Sequence, residues 1–383
     1  MKIGFFTNSY HPMVSGVIKA VDFMTLGLRE LGHEVYVITA DYPGFQENDP
    51  FVLRYPSIAA GPASKFPLAI PFQPILNKKI ETLNLDVIHS QHPFLLGETA
   101  ARLARKKNIP LVFTFHTRYD DYLHYTPFGI PKFISRAFLQ RKIIRYLRKC
   151  DSIIAPTPSI KKLIFEYGIK DKCQIVPNAI ALDSFQKTDG KAIQKKYQLD
   201  DKKVSLFIGR LAPEKNLSFL LEAFVSVIHE VPNARLMLIG DGPSRGDLEI
   251  KTKKLGLSNF VIFPGMIPYQ QVPNYLSLSK IFTTPSKSEV NPLSIMEAMA
   301  AGVPVLALRS PWSEEIISHG KNGLLADDNK DAFAKSLILL LKDDSTSRKL
   351  SQEAKEKSKE FHYLPMAQKL EKLYLSLLRK RKQ

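Results

Sequence analysis

Two glutamates and two basic residues stand where the sequence predicts the ends of buried strands. Glu289 and Glu297 lie in SKSEVNPLSIMEAMAAG, and Arg210 and Lys215 lie in GRLAPEKN. The planar arginine fork and the compact lysine charge suit a phosphate, and a carboxylate on an apolar helix suits paired ribose hydroxyls. The alternatives are solvated loop cations, a carboxylate at a helix start for Glu289 and a buried ion pair for Glu297. Together the four residues predict a site for a phosphorylated ligand that carries hydroxyl groups.

The backbone around these side chains is suited to the approach of an anion. Gly209 leaves room for a ligand close to the chain. Pro292 and Leu293 open the helix that carries the second glutamate, and free N–H groups at a helix start attract phosphate. The turn GDGPSRGDLE at 240–249 lacks both common phosphate-loop patterns, so alone it is weak support for a phosphate site.

Short apolar runs that alternate with helical patterns position these residues. In the first part of the chain, strands are predicted at 2–7, 34–40, 86–90, 110–117 and 151–157, and helices at 16–31, 95–107, 132–149 and 159–167. After a polar stretch at 187–203, strands are predicted at 204–210, 234–240, 260–265, 280–285 and 303–308, and helices at 216–230, 243–255, 269–278 and 291–301. The alternation predicts an α/β protein with two doubly wound parallel sheets. We expect the ligand in a cleft between the two domains, beyond the carboxyl ends of the strands.

The predicted domain bounds follow from this alternation of strands and helices. Residues 1–180 form a first Rossmann-like domain and residues 200–360 a second, with a hinge near 178–200. A last amphipathic, basic helix at about 364–383 is expected to pack back on the first domain.

Composition restricts the class of protein and of partner. The 383 residues are 44% hydrophobic and 24% charged, which is typical of a soluble globular protein. Cys150 and Cys173 form no CxxC pair, which argues against a disulfide framework or a structural zinc site and fits a reducing compartment. We expect no signal peptide and no transmembrane helix. A net charge of +17 requires an anionic partner, which could be nucleic acid, an acidic membrane or a phosphorylated substrate.

A basic amphipathic stretch at 131–149 bears on which anionic partner the protein binds. Its basic arc consists of Arg141, Lys142, Arg145, Arg148 and Lys149, and its predicted apolar arc of Phe133, Ala137, Ile144 and Leu147. Such a helix can lie on an anionic membrane surface, and the alternative is a packed helix with a solvated basic face. The proline-rich apolar segment 56–74 could touch lipid or cover a sheet edge.

The combined motifs resemble a known family. EVNPLSIME (289–297) followed by AMAAGVPV, with GRLAPEKN and LMLIGDGPSRGDLE upstream, resembles the signature of the retaining family-4 glycosyltransferases. The blocks at 15–39 and 176–185 extend the resemblance over nearly the whole chain. It implies the GT-B fold, in which two Rossmann-like domains face each other across a cleft, the first binding the acceptor and the second the nucleotide-sugar. The implied activity is hexosyl transfer with retention of the anomeric configuration.

The resemblance also implies roles for individual residues. Arg210 and Lys215 would hold the donor diphosphate, Glu297 the ribose hydroxyls and Glu289 the hydroxyls of the sugar, and the base would be read near Met266. Gly16 would bring backbone N–H groups to the diphosphate, and His116 would lie beside the reacting sugar. Asn291 stands where the family more often has a small or aromatic residue, which affects the exact donor contacts.

Charge develops on the leaving phosphate during such a transfer, and fixed cations with helix N–H groups can stabilise it. The sequence has no DxD motif at a suitable strand end, so we expect neither a metal nor a cofactor beyond the nucleotide-sugar. A nucleophile of the retaining-glycosidase kind would be Asp120 or Asp121 by residue type alone, whereas the resemblance favours front-face attack. His116 and His124 are expected to be polar site residues rather than metal ligands.

A narrower resemblance concerns the acceptor. HTRYDDYLHYTP (116–127) and QHPFLLG (91–97) resemble the bacterial diacylglycerol glucosyltransferases. This implies UDP-glucose as donor, 1,2-diacylglycerol as acceptor, an α-glucosyl diacylglycerol as product, and a cytoplasmic protein peripheral on the inner face of the cell membrane. The alternatives are a GDP-mannose-dependent mannosyltransferase acting on a lipid or lipopolysaccharide, and a nucleotide-sugar epimerase. No nucleic-acid partner is expected, because the sequence has no recognised nucleic-acid motif.

Overall fold

The computed structural model describes residues 1–59, 67–119, 132–186 and 188–382. The chain divides into two compact units. The first unit comprises Met1–Ala179 and Tyr363–Gln383, and the second comprises Ile180–His362. Each unit is built on its own parallel sheet.

The first unit has a seven-stranded sheet whose order is β3-β2-β1-β6-β7-β8-β9. Its strands are β1 (Lys2–Phe6), β2 (Glu34–Ala40), β3 (Val52–Tyr55), β6 (Val87–Ser90), β7 (Leu111–Thr114), β8 (Ser152–Ala155) and β9 (Cys173–Ile175), and a separate antiparallel hairpin joins β4 (Ser57–Ala59) to β5 (Pro67–Ala69). Its helices are α1 (Gly16–Glu30), α2 (Pro74–Thr82), α3 (Leu96–Lys107), α4 (Lys132–Lys149), α5 (Pro158–Glu166) and α14 (Tyr363–Lys382). The strand order reverses between β1 and β6, which makes that edge the expected ligand site of this sheet.

The second unit has a six-stranded sheet whose order is β12-β11-β10-β13-β14-β15. Its strands are β10 (Lys203–Ile208), β11 (Ala234–Ile239), β12 (Val261–Gly265), β13 (Ser279–Thr284), β14 (Val305–Leu308) and β15 (Gly323–Ala326). Its helices are α6 (Lys191–Lys196), α7 (Leu217–Glu230), α8 (Arg245–Lys254), α9 (Val272–Ser277), α10 (Leu293–Ala300), α11 (Pro311–Ile316), α12 (Lys330–Lys342) and α13 (Asp344–Ser358). Here the order reverses between β10 and β13.

The last helix, α14, packs on α1 within the first unit. A Cβ built on Gly27 of α1 would lie 2.6 Å from the Cβ of Ala367, so the two helices approach too closely for a larger residue there. The buried Tyr374 reaches from α14 to the sheet, where its hydroxyl is hydrogen-bonded to His89 Nδ1 at 2.6 Å. The C-terminal helix is therefore part of the first unit's core.

The sequence missed several elements, and most of them carry weak signals. The unpredicted elements are the strands β3, β4, β5, β9 and β15 and the helices α2, α6, α11, α12 and α13. The strands among them have only three or four residues, too few to show a period. The predicted helix 269–278 is a 3₁₀ turn at Tyr269–Gln271 followed by α9, because Pro273 sits in the first turn of the α-helix.

The predicted apolar arc of α4 is confirmed at Leu147 and wrong at Ala137, and Ile144 is only half-buried. The residues buried on and just after this helix are Ile143, Tyr146, Leu147 and Cys150, while Ala137 is exposed and Ile144 is half-buried. The side chain of Phe133 lies outside the described residues. Aromatic packing decides the rotation of the helix, because Tyr146 fits edge-on against Phe113 of β7 with ring centroids 5.3 Å apart.

Candidate functional site

The strand-order reversal in the second sheet brings two loops together. The loop after β10 carries GRLAPEKN, and the loop after β13 carries SKSEVNP. Asn216 Nδ2 donates to Pro285 O at 3.3 Å, and Ser286 Oγ donates to Glu214 O at 3.3 Å. The two sequence motifs therefore form one surface at the switch point, which is where ligands bind in open α/β sheets.

Lys215 and Glu289 form an ion pair across these loops. Lys215 Nζ donates to Glu289 Oε1 at 2.6 Å, and the two side chains are only 15% and 16% exposed. The sequence assigned both residues to a ligand but gave no sign that they pair. Because a lysine ammonium has three donors, Lys215 can keep this bond while donating to a phosphate. The pair thus places a carboxylate directly beside a cation at this edge of the sheet.

Glu297 lies within α10 and is buried. It is 4% exposed, and it accepts a hydrogen bond from the Tyr269 hydroxyl at 2.9 Å. A carboxylate at such a depth needs donors, and the tyrosine that follows β12 supplies one of them. The sequence missed Tyr269, since 28 positions separate it from Glu297 and no motif links the two.

The remaining predicted donor residues lie at strand ends and at the start of α10 in the same unit. Pro292 is the N-cap of α10 and has no side-chain capping bond, and Leu293 is the first residue of the helix. Asn291 is buried just before them, whereas Arg210 and Met266 are exposed at the ends of β10 and β12. These positions lie on the loops and helix start at the carboxyl edge of the sheet.

The glycines at 240 and 242 have a packing role. A Cβ on Gly240 would lie 1.9 Å from Gly209 O, and one on Gly242 would lie 2.3 Å from Leu211 O. The turn after β11 therefore packs directly on the loop that carries Arg210. Its glycines are explained by this close approach without a phosphate.

In the first unit, the switch point joins the loops after β1 and β6. Asn8 N donates to His92 Nδ1 at 3.2 Å, and Leu96 N donates to Asn8 Oδ1 at 3.1 Å. Gly16 begins α1 behind the N-cap Ser15, and a Cβ built on it would meet nothing within 4 Å. The backbone of Gly16 is thus open at a helix N-terminus.

His116 lies on the neighbouring strand end, just after β7. Its Nε2 atom is 2.7 Å from Gln91 Oε1. Burial, with a smaller contribution from the nearby His92 and His89, lowers the pKa of His116 to about 3. The imidazole is therefore neutral near pH 7, so it is suited to hydrogen bonding rather than to donating a charge-balancing proton. The sequence also missed Gln91, although a polar residue directly after a buried strand is a recognisable signal.

The first unit also carries an exposed basic face. The five cations of the predicted basic arc, Arg141, Lys142, Arg145, Arg148 and Lys149, are all exposed on α4. Lys149 Nζ donates to Glu98 at 2.5 Å, and Lys142 Nζ lies 4.6 Å from the ring centroid of the exposed Phe138. The face is strongly cationic even with one partner carboxylate.

Some predicted residues lie beyond what the structure describes. Asp120, Asp121 and His124 are outside the described residues, as is 60–66 of the proline-rich segment. Within the described ranges, no group of three or more His, Cys, Asp or Glu side chains could hold a metal ion. The same ranges contain no helix long and apolar enough to span a membrane.

Comparisons with known proteins define the class. Residues 14–184 match the domain "Glycosyltransferase Family 4", and residues 189–357 match "Glycosyl transferases group 1". The structure of Anabaena Alr3699/HepE in complex with UDP and glucose superposes with a TM-score of 0.79 at 18% identity, covering 98% of this chain and 100% of that one. The predicted fold class, GT-B with two Rossmann-like units, is confirmed.

Two relatives then place the chain within this class. It is 32% identical to an alpha-monoglucosyldiacylglycerol synthase of Acholeplasma laidlawii, over 99% of this chain and 98% of that protein. It is 31% identical to a Streptococcus pneumoniae protein of the same name, over 85% and 75%. The chain belongs to the family-4 glycosyltransferases, and it is a nucleotide-sugar-dependent hexosyltransferase, as the sequence predicts.

Proposed function

We propose that the protein transfers glucose from UDP-glucose to 1,2-diacylglycerol with retention, giving an α-glucosyl diacylglycerol. The observation that carries this is the 32% identity to an alpha-monoglucosyldiacylglycerol synthase over nearly the whole of both chains. The second unit supports it with a site that combines the Lys215–Glu289 pair and the buried Glu297.

Each residue of that site has a part in the transfer. The bond between the anomeric carbon and the diphosphate oxygen breaks, and its electron pair stays on the phosphate. Arg210 and Lys215 neutralise that charge, together with the N–H groups at the start of α10. The acceptor hydroxyl oxygen forms the new bond on the same face of the sugar, and its proton passes to the leaving phosphate. No step requires a metal.

Binding of the donor involves the other predicted residues. Glu297 accepts hydrogen bonds from the ribose hydroxyls, and Glu289 accepts them from the sugar hydroxyls. Asn291, Pro292 and Leu293 border the phosphates. Gly209 gives the diphosphate access to the chain, and the base binds near Met266. In the first unit, the open backbone at the helix start of Gly16 suits a phosphate, and His116 suits a hydroxyl of the sugar.

Two surfaces of the first unit support a membrane acceptor. One is the basic face of α4, which suits anionic headgroups. The other is an apolar patch on and after the β4–β5 hairpin, where Ile58 and Leu68 are a cross-strand pair and Phe72 and Ile75 are 77% and 82% exposed. An exposed apolar patch and an exposed cationic face on one unit fit a peripheral protein of an anionic bilayer, here the inner face of the cell membrane.

The donor and acceptor are tested together by a screen. Purified protein is incubated with UDP-glucose, other UDP-hexoses or GDP-mannose, in vesicles with or without diacylglycerol, and the products are identified by mass. A hexosyl diacylglycerol formed only from UDP-glucose is the expected product. Transfer only from GDP-mannose supports the mannosyltransferase alternative. Conversion of the nucleotide-sugar into its epimer, with no new glycoside, supports the epimerase.

The membrane part is tested by vesicle sedimentation with matched variants. Replacing Arg141, Lys142 and Arg145 with glutamine is expected to weaken binding to anionic vesicles about 10²-fold, at about 1 kcal/mol for each cation near the surface. The control makes the same change at three exposed lysines of the second unit, Lys335, Lys349 and Lys355. Equal binding by both triple variants, or binding indifferent to salt, contradicts the electrostatic part.

The apolar part has its own matched pair. F72S with I75S is expected to reduce sedimentation with vesicles, whereas I250S with L339S, at exposed apolar positions of the second unit, is expected to leave it unchanged. Folding is not at risk in either variant, because the replaced side chains are exposed.

A further inference from the structure

Among the described residues, the side-chain oxygen of Gln91 has a hydrogen-bond partner and its side-chain nitrogen has none. Gln91 directly follows β6 and is fully buried, at 0% exposed, and its backbone N–H donates to Phe6 O at 2.8 Å. Its side-chain oxygen is bonded to His116, but among the residues that the structure describes its Nε2 atom has no hydrogen-bond partner. A buried N–H₂ group without an acceptor is unfavourable, because it loses its hydrogen bonds to water. A glutamine kept only for folding would be expected to pair at both ends.

The bond to His116 fixes the state of the imidazole. A carboxamide oxygen can only accept, so at 2.7 Å the His116 Nε2 atom must carry the proton and donate it. The ring is neutral near pH 7, since burial lowers its pKa to about 3. A neutral imidazole has one N–H and one lone pair, so Nδ1 is left as a hydrogen-bond acceptor.

The neighbouring histidine is held in the same way by a different group. His92 Nδ1 accepts from the backbone N–H of Asn8 at 3.2 Å, so its proton also lies on Nε2. At His92 the backbone chooses the tautomer, whereas at His116 a side chain does. The choice at His116 can therefore be changed by one substitution.

We infer that Gln91 is a positioning residue that holds His116 as the Nε2–H tautomer, so that Nδ1 accepts a hydrogen bond from a hydroxyl of the transferred sugar. The inference rests on the proposed function, in which His116 contacts the donor sugar. It adds the residue that sets the direction of that hydrogen bond. With the proton on Nδ1 instead, His116 could only donate there, and the hydroxyl would have to turn its own hydrogen elsewhere.

The tautomer is measured without any substrate. Protein labelled with ¹⁵N at histidine shows, by two-bond nitrogen–proton correlation, which ring nitrogen of His116 is protonated, and H116N assigns the signal. The wild type is expected to show Nδ1 unprotonated and Nε2 protonated at pH 7. A proton on Nδ1 overturns the inference, and it does so whether or not UDP-glucose is the donor.

Two variants separate positioning from folding. Q91L removes the acceptor and is expected to mix the two tautomers, while Q91E keeps an acceptor oxygen and the Nε2–H tautomer. In the transfer assay Q91L is expected to lower kcat about tenfold, the effect of one hydrogen bond, with a smaller change in the donor KM. Q91E adds a negative charge beside the ring, so it is expected to raise the pKa of His116 and to give the rate a new dependence on acid pH.

A matched control changes another buried polar group of the same sheet. T39V removes a fully buried hydroxyl of β2 that has no hydrogen-bond partner in the described ranges, and it is expected to leave the His116 tautomer and kcat unchanged. A Q91L protein that keeps pure Nε2–H, or that loses no more activity than T39V, contradicts the inference. If the wild type has the expected tautomer but transfers no sugar from any donor, the proposed function fails instead.

Discussion

At the scale of single residues, the site combines charges that the protein holds in place before a ligand arrives. Lys215 is bonded to Glu289, and Glu297 is bonded to Tyr269. Each carboxylate thus has a donor in the free protein, which avoids an isolated buried charge. Residues that hold each other in this way are already ordered before a ligand binds.

Lys215→Met is expected to lower kcat/KM about 10²–10³-fold, because it removes a fixed cation from the leaving phosphate. The control is Lys287→Met in the same pair of loops, where the lysine is exposed and bonded to Asp328 at 2.5 Å. Steady-state kinetics with UDP-glucose measure both. Similar activities for the two variants would show that Lys215 has no role in the transfer.

Tyr269→Phe is expected to raise the donor KM about 3–10-fold, because Glu297 loses one hydrogen bond that fixes its orientation. Glu297→Gln is expected to raise it further, because the amide replaces one acceptor oxygen with a donor. Tyr36→Phe is the control, since that hydroxyl donates to the exposed Glu34 at 2.9 Å. A Tyr269→Phe enzyme with the KM of the control shows that the bond has no part in donor binding.

At the scale of elements, neighbouring strand ends explain why distant motifs meet. The loops with GRLAPEKN and SKSEVNP come together because β10 pairs with β13 at the strand-order reversal. The sequence predicted both strands and both motifs, so it could place the residues at one edge of a sheet. It could not predict the Lys215–Glu289 bond, because side-chain partners across loops leave no periodic signal. For α4 the helical wheel was right about Leu147 but missed the buried Tyr146, whose ring packs against Phe113.

The C-terminal helix is an element whose contribution can be measured. The Tyr374 hydroxyl reaches His89 Nδ1, and His89 Nε2 lies 2.7 Å from Thr114 Oγ1. Tyr374→Phe leaves a buried ring nitrogen unpaired, so it is expected to reduce the free energy of unfolding by about 1–2 kcal/mol. Tyr363 lies on the same helix, and its hydroxyl donates an exposed hydrogen bond to Glu30. Tyr363→Phe is therefore expected to reduce the free energy of unfolding by less than about 0.5 kcal/mol. Urea unfolding distinguishes the two, and equal midpoints would contradict the role of this network.

At the scale of the whole molecule, three histidines with lowered pKa values, the buried His89 and the half-buried His92 and His116, make the first unit sensitive to acid. Burial lowers the pKa of His89 to about 3, of His92 to about 4 and of His116 to about 3, from an ordinary value of 6.5. Below pH 6.5 the unfolded chain binds protons that the folded chain does not. Stability therefore falls as the pH falls from 6.5 towards 4, by up to about 1.4 kcal/mol per pH unit for each histidine.

This dependence is tested by urea midpoints between pH 7.5 and 5. The wild type is expected to lose stability steeply below pH 6.5, and His92→Gln is expected to have a shallower slope by close to one proton. His229→Gln, at an exposed position, is expected to keep the wild-type slope. A flat profile for the wild type would contradict the lowered pKa values of these three histidines.

Metal removal is a further test at this scale. Transfer activity is expected to persist in excess EDTA, because the proposed stabilisation of the leaving phosphate uses Arg210, Lys215 and helix N–H groups. A rate that disappears with EDTA and returns with Mg²⁺ or Mn²⁺ would contradict a metal-independent transfer.

The central claim is that the switch point of the second sheet binds the nucleotide diphosphate of the donor. Titration calorimetry with UDP tests it most directly, using the wild type, Lys215→Met, Glu297→Gln and the control Lys287→Met. We expect UDP to bind the wild type and the control alike, and to bind the other two variants at least about tenfold more weakly. Equal affinity for all four proteins, or no binding of UDP to the wild type, would contradict it.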